Sequence, residues 1–187
     1  MIPSFDALIS DHQACMTRLA GLGEIITTAA RTLGLVIGRG GRVFVCGNGG
    51  SAADAQHFAA ELIGRFEKER RPFPAVALTT DTSILTAVSN DYAYDRIFTR
   101  QLQGLAASGD ALVGISTSGN SGNVVDAVDA AREMGLVTIV LCGRDGGRLK
   151  DRADHVIIVP SGNTARIQEA HALILHFFAA VVEETNT

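Results

Sequence analysis

Five short runs rich in β-branched and apolar residues recur along the chain: "RVFVCG", "PAVALT", "ALVGIS", "VTIVLCG" and "HVIIVP". Each is closed by glycine or polar residues and followed by a helical pattern. This alternation constrains the fold more than any other feature. It predicts an α/β protein with a doubly wound, five-stranded parallel sheet and helices on both faces. In such sheets ligands bind beyond the carboxyl ends of the strands, where the strand order changes direction. The loops after the strands are therefore the place to look for chemistry.

Before the first strand, apolar residues from Phe5 through Leu19 to Ile37 keep helical spacing, interrupted at Gly21 and Gly23. Residues 1–38 should form two long helices or one kinked helix. A sheet core over 40–160 and a carboxy-terminal helix over 163–185 complete a single expected domain, 1–187. The last helix is apolar on more than one face, which exceeds what a surface helix needs and suggests packing against another subunit.

The chain has 187 residues, 47% of them hydrophobic and 19% charged, enough for a sizeable core. Its formal charge of -4 comes without a basic block, which disfavours a nucleic-acid partner. Cys15, Cys46 and Cys142 have no metal-type spacing, and two of them end apolar strand runs, so a reducing, cytoplasmic setting is expected. The start "MIPSFDALISDHQAC" has no cationic segment before an apolar one. The run "HALILHFFAAVV" looks too short to span a bilayer. Neither export nor a membrane anchor is expected.

Gly47, Gly49 and Ala52 fit the loose pattern G-x-G-x-x-A after a strand, which raises a dinucleotide site. The acidic ribose ligand that such a site needs should close the second strand. Here Asp81 comes later, after two threonines, so a nicotinamide cofactor is disfavoured. A second loop, "GISTSGNSGNVV", offers Ser116, Thr117, Ser118 and Ser121 with glycine-exposed amides at a helix start. These groups could bind a phosphate dianion without a lysine, or could simply form a serine-rich helix cap. His57 and Glu61, at i and i+4, share a helix face and could ligate a metal, act as acid and base, or make a surface contact. Gln168, His171 and His176 form a second polar set inside a helix otherwise suited to burial.

Four motifs, "CGNGGSAADAQHFAAEL", "SNDYAYDRIF", "GISTSGNS" and "RIQEAHALILH", occur in one order and together resemble the phosphoheptose isomerases of the sugar-isomerase (SIS) domain family. The resemblance implies a flavodoxin-like sheet and the interconversion of sedoheptulose 7-phosphate with D-glycero-D-manno-heptose 7-phosphate, which opens bacterial heptose synthesis for surface polysaccharide. It also implies a homotetramer and a zinc ion. By the same resemblance Asn48, Gly49, Gly50, Asn90 and Asp91 contact substrate, and Ser116, Thr117, Ser118 and Ser121 cradle the phosphate with Ser51 as a further hydroxyl. His57, Glu61, Gln168 and His176 match the family's metal positions. Glu61 and Gln168 also match substrate positions, and Glu61 and His176 match the catalytic pair.

The chemistry agrees with that assignment. Aldose–ketose isomerisation moves a proton between C1 and C2 through an enediol, which needs one base near both carbons and a second group for the oxygen protons. A non-catalytic SIS relative that binds the bacterial replication initiator shares much of the pattern, but it lacks the glutamate and histidine that stand here as Glu61 and His176. Another phosphosugar isomerase or sensor is a further alternative. Helix geometry adds one expectation. Gln168 and His176 lie about 12 Å apart along an α-helix axis, whereas two ligands of one zinc lie only about 4 Å apart. Each active site should therefore draw at least one of the two from a neighbouring subunit.

Overall fold

The computed structural model describes residues 4–187. The elements run α1 (Phe5–Leu19), α2 (Gly23–Gly38), β1 (Val43–Gly47), α3 (Gly50–Ile63), β2 (Ala75–Ala77), α4 (Thr82–Asp91), α5 (Ile97–Leu105), β3 (Ala111–Ser116), α6 (Gly122–Glu133), β4 (Val137–Gly143), β5 (His155–Val159) and α7 (Thr164–Asn186). The five strands lie in the order β2-β1-β3-β4-β5, and every neighbouring pair is parallel. This is the expected doubly wound sheet.

Strand alternation divides the core into two layers. Val43, Val45, Val113, Ile115, Ile139 and Leu141 face α1, α2, α3 and α7. Phe44, Cys46, Leu112, Val140 and Cys142 face α5 and α6. All residues of β1 and β3 are buried, which explains why the central strands read as unbroken apolar runs. The run "PAVALT" yields only three strand residues, because β2 is an edge strand paired with β1 alone and Val76 is exposed.

The amino-terminal expectation of an interrupted helix is met. A short 3₁₀ turn over Ala20–Leu22 separates α1 from α2, at Gly21 and Gly23. Asn163 starts α7 by accepting a hydrogen bond from the Ala165 amide at 2.9 Å. By length and composition alone, the whole of α7 and the 5–38 stretch could each cross a bilayer. Yet α7 buries Ile167, Ala170, Ile174, Leu175, Phe178 and Val182 within the core layer it shares with α2 and α3. Its inward charges have partners in the protein: Arg166 pairs with Glu169, and Glu183 pairs with Arg70.

Candidate active site at the carboxyl ends of β1 and β3

The strand order reverses between β1 and β3, and two helix-initiating loops meet at that point. After β1, Gly49 takes φ +56°, a left-handed value that favours glycine, and leads into α3 without a side-chain cap. After β3, Ser121 occupies the N-cap position of α6, but its hydroxyl caps nothing. It lies 2.9 Å from the Ser116 hydroxyl instead. The serine-rich cap is therefore not formed. The first amides of α6 are left without a side-chain partner, next to hydroxyls, as an anion site requires. Ser51 and Ser116 are buried, Thr117 and Ser118 are half-buried, and Ser118 Oγ accepts the Asn120 amide at 3.2 Å.

The two loops are tied together by Asn48 and two residues the sequence did not single out, Asn123 and Tyr94. Asn48 Nδ2 donates to Asn123 Oδ1 at 2.8 Å, and Asn123 Nδ2 donates back to Asn48 Oδ1 at 2.9 Å. The Tyr94 hydroxyl also donates to Asn48 Oδ1, at 3.0 Å. Asn48 thus braces the crevice. Asn90 and Asp91, at the end of α4, are exposed, and the Asn90 amide donates to Asp91 Oδ1 at 2.8 Å. Asp81, after the end of β2, caps α4 by accepting the Ile84 amide at 2.9 Å, so it is not placed as a ribose ligand.

Helices α3 and α7 lie side by side and run in the same direction. Gly50, at the start of α3, has no side chain where the Gln168 amide packs; an added Cβ would collide with it. Farther along, His57 Nε2 lies 2.8 Å from His176 Nε2, and Glu61 Oε1 lies 3.6 Å from His57 Nε2. The side chain of Glu61 is 22% exposed and that of His57 48%, so the carboxylate is the more sheltered of the two. Asp54, three residues before His57, has a buried Oδ2 with no hydrogen-bond partner; burial pushes its carboxyl pKa up, and His57 partly opposes this.

The four expected metal positions do not form one set within the chain. His57, Glu61 and His176 converge, but Gln168 meets α3 at Gly50 instead. Among the described residues, no group of three or more His, Cys, Asp or Glu side chains is gathered closely enough to hold a metal ion. His171 leaves the polar set altogether. It is fully buried, with Nε2 at 3.0 Å from the Cys142 carbonyl and Nδ1 unpartnered, and burial lowers its pKa to about 4.

Phe66, which sequence reasoning passed over, stacks on His176 with ring centroids 5.8 Å apart. No local pattern marks it. Tyr94 and Asn123 lie inside or directly after recognisable motifs, and that position was the only available signal.

Comparison with known proteins identifies the fold and the family. Residues 9–143 match the SIS domain family. The chain is 52% identical to the phosphoheptose isomerase of Citrifermentans bemidjiense over 184 residues, covering 98% of this chain and 96% of that one. It is 57% identical to the Geobacter sulfurreducens phosphoheptose isomerase over 167 residues, covering 89% and 85% of the two chains. The solved phosphoheptose isomerase from Francisella tularensis superposes with a TM-score of 0.92 at 37% identity, over 98% of this chain and all of that one. The Neisseria gonorrhoeae enzyme superposes with a TM-score of 0.89 at 44% identity, over 96% of each chain. A likeness of this extent, across nearly the whole length and in both sequence and structure, places the chain in the phosphoheptose isomerase family of SIS-domain proteins.

Proposed function

We propose that this isomerase interconverts sedoheptulose 7-phosphate and D-glycero-D-manno-heptose 7-phosphate, in the reducing cytoplasm, as the entry to bacterial heptose synthesis. The observation that carries the reading is the meeting of His57, Glu61 and His176 on the α3–α7 seam of a fold whose β1 and β3 loops present hydroxyls and uncapped amides. An enediol mechanism needs both elements: an anchor for the phosphate and an acid–base pair at the other end of the sugar.

In this reading, Ser116, Thr117, Ser118 and Ser121, with Ser51 nearby, hold the phosphate dianion. Charge-assisted hydrogen bonds of this kind are the strong ones. Glu61 carries the proton between C1 and C2, and His176 gives and takes the oxygen protons. The His57–His176 contact at 2.8 Å requires one ring nitrogen to donate and the other to accept, so the tautomers of the two rings are linked.

Two imidazole nitrogens and a carboxylate oxygen are donors that suit zinc. As they stand, His57, Glu61 and His176 are not gathered into a metal site; the family resemblance makes them this chain's donors should an ion bind, and a bound ion would supply Lewis-acid polarisation of the sugar carbonyl. Since His176 comes from the same chain as His57 and Glu61, the shared-site model narrows to Gln168 as the ligand supplied by a neighbour. An apolar groove of about 400 Å³ between α1, α2 and α7, lined by Met16, Leu19, Ile26 and Phe177 among others, supports a homotetramer built on the carboxy-terminal helices.

The test is incubation of the purified chain with sedoheptulose 7-phosphate, with and without a chelator, and resolution of ketose from aldose by NMR. An aldose 7-phosphate should form. Its absence in both conditions would overturn the reading.

A further inference from the structure

We infer that Phe66 is a positioning residue for His176, held in place by the buried Glu183–Arg70 pair. The inference rests on the reading that His176 takes part in the chemistry.

Phe66 lies in the irregular segment between α3 and β2. Its ring stacks on His176 with an interplanar angle of 27°, while His57 meets the same imidazole edge-on at 75° and a centroid distance of 5.0 Å. An imidazole on a helix can turn about two side-chain bonds. Here a flat aromatic face restricts one of these rotations, and the Nε2 contact to His57 restricts the other. General acid–base catalysis depends on such placement, because the nitrogen must lie within hydrogen-bond reach of the proton it moves.

Phe66 is held by its backbone. A segment with no helix or sheet ladder must satisfy its amides elsewhere, and a single carboxylate does this. Glu183 Oε1 accepts the Phe66 amide at 3.2 Å, and Oε2 accepts those of Glu67 at 2.9 Å and Lys68 at 2.8 Å. Arg70 Nε completes the set by donating to Oε1 at 3.1 Å. The Arg70 guanidinium also donates to the carbonyls of Glu61 at 2.7 Å, Leu62 at 2.8 Å and Gly64 at 3.1 Å, so it ties the end of α3 to the same carboxylate. The side chains of Arg70 and Glu183 are only 3% and 2% exposed. Burying both charges is costly and often contributes little to stability, so such a pair needs another reason to persist. Here it fixes the residue that flanks the catalytic imidazole. It also holds the carbonyl of Glu61, the proposed base, on the same guanidinium.

The inference separates positioning from simple packing. Phe66→Ala should lower kcat at least about tenfold with little change in KM, as expected when a reacting group is misplaced rather than substrate binding lost. Phe66→Leu, which keeps apolar bulk without a flat face, should also be slow, and Phe66→Tyr should recover turnover to within about twofold of wild type. In the ring NMR spectrum, the His176 signals, identified by their loss in His176→Ala, should move when Phe66 is replaced by leucine. In the unmodified protein the amides of Phe66, Glu67 and Lys68 should exchange slowly.

Wild-type turnover in His176→Ala would overturn the catalytic reading itself. An inactive His176→Ala beside a fully active Phe66→Leu, or unmoved His176 ring signals, would overturn the positioning role alone. Fast exchange of the three amides would overturn the part assigned to Glu183.

Discussion

His57 Nε2, from α3, and His176 Nε2, from α7, lie 2.8 Å apart within one chain, although 119 positions separate them in sequence. The contact brings a group from α3 and one from α7 together within a single chain. Gln168, two helical turns before His176, packs instead against Gly50.

This arrangement makes a directional prediction for mixed tetramers. Glu61→Gln and His176→Ala subunits, each inactive alone, should not regain activity when unfolded and reassembled together, because both lesions fall on the group supplied by one chain. Glu61→Gln mixed with Gln168→Ala should regain part of the wild-type rate. Recovery in the first mixture, or none in verified mixed tetramers of the second, would reject Gln168 as the neighbour's contribution.

The loop after β3 should act through affinity. Replacing Ser118 and Ser121 with alanine removes hydroxyls expected to face the phosphate, each worth about 1.5–3 kcal/mol for a hydrogen bond to a charged group. KM should rise by roughly one to two orders of magnitude per serine, with kcat affected less. Loss of Ser121 should cost additionally, because its hydroxyl is also the partner of Ser116 Oγ at 2.9 Å. If inorganic phosphate competed equally well against wild type and the double variant, the cradle assignment would fail.

The sheet was legible because its strands are buried on both faces, so burial itself wrote the apolar runs. The edge strand β2 departs from this rule, and its run overstates its length. The loops after β1 and β3 were legible because glycines and serines cluster after strands. The α7 histidines were not separable. His171 and His176 stand five residues apart, which is about 140° around an α-helix, so one enters the core and the other faces α3. Sequence spacing fixes that angle, but only the packing of α7 decides which histidine faces inward. Phe66 was invisible for a related reason: the conformation that brings it to His176 depends on Glu183, 117 positions away.

His171 should produce a pH dependence of stability distinct from that of catalysis. Burial lowers its pKa from 6.5 to about 4, so the folded protein keeps it neutral while the unfolded chain would protonate it. Its contribution is fully present above the unfolded value of 6.5 and is lost as pH falls towards about 4. Over that window the loss should be about 3 kcal/mol for one proton. His171→Gln can still donate to the Cys142 carbonyl but does not titrate, so it should flatten this part of the profile. Chemical denaturation at several pH values would measure it, and an unchanged slope in the variant would refute the assignment.

The account depends most on Glu61 as the group that moves the carbon-bound proton. The most direct measurement is therefore the turnover of sedoheptulose 7-phosphate by Glu61→Gln, followed by NMR beside the wild-type enzyme. The amide keeps the size and shape of the side chain but cannot accept a proton. The variant should fold, assemble and bind inorganic phosphate normally while kcat falls by about 10²–10⁴-fold. A folded Glu61→Gln variant that forms the aldose at near the wild-type rate would contradict the mechanism.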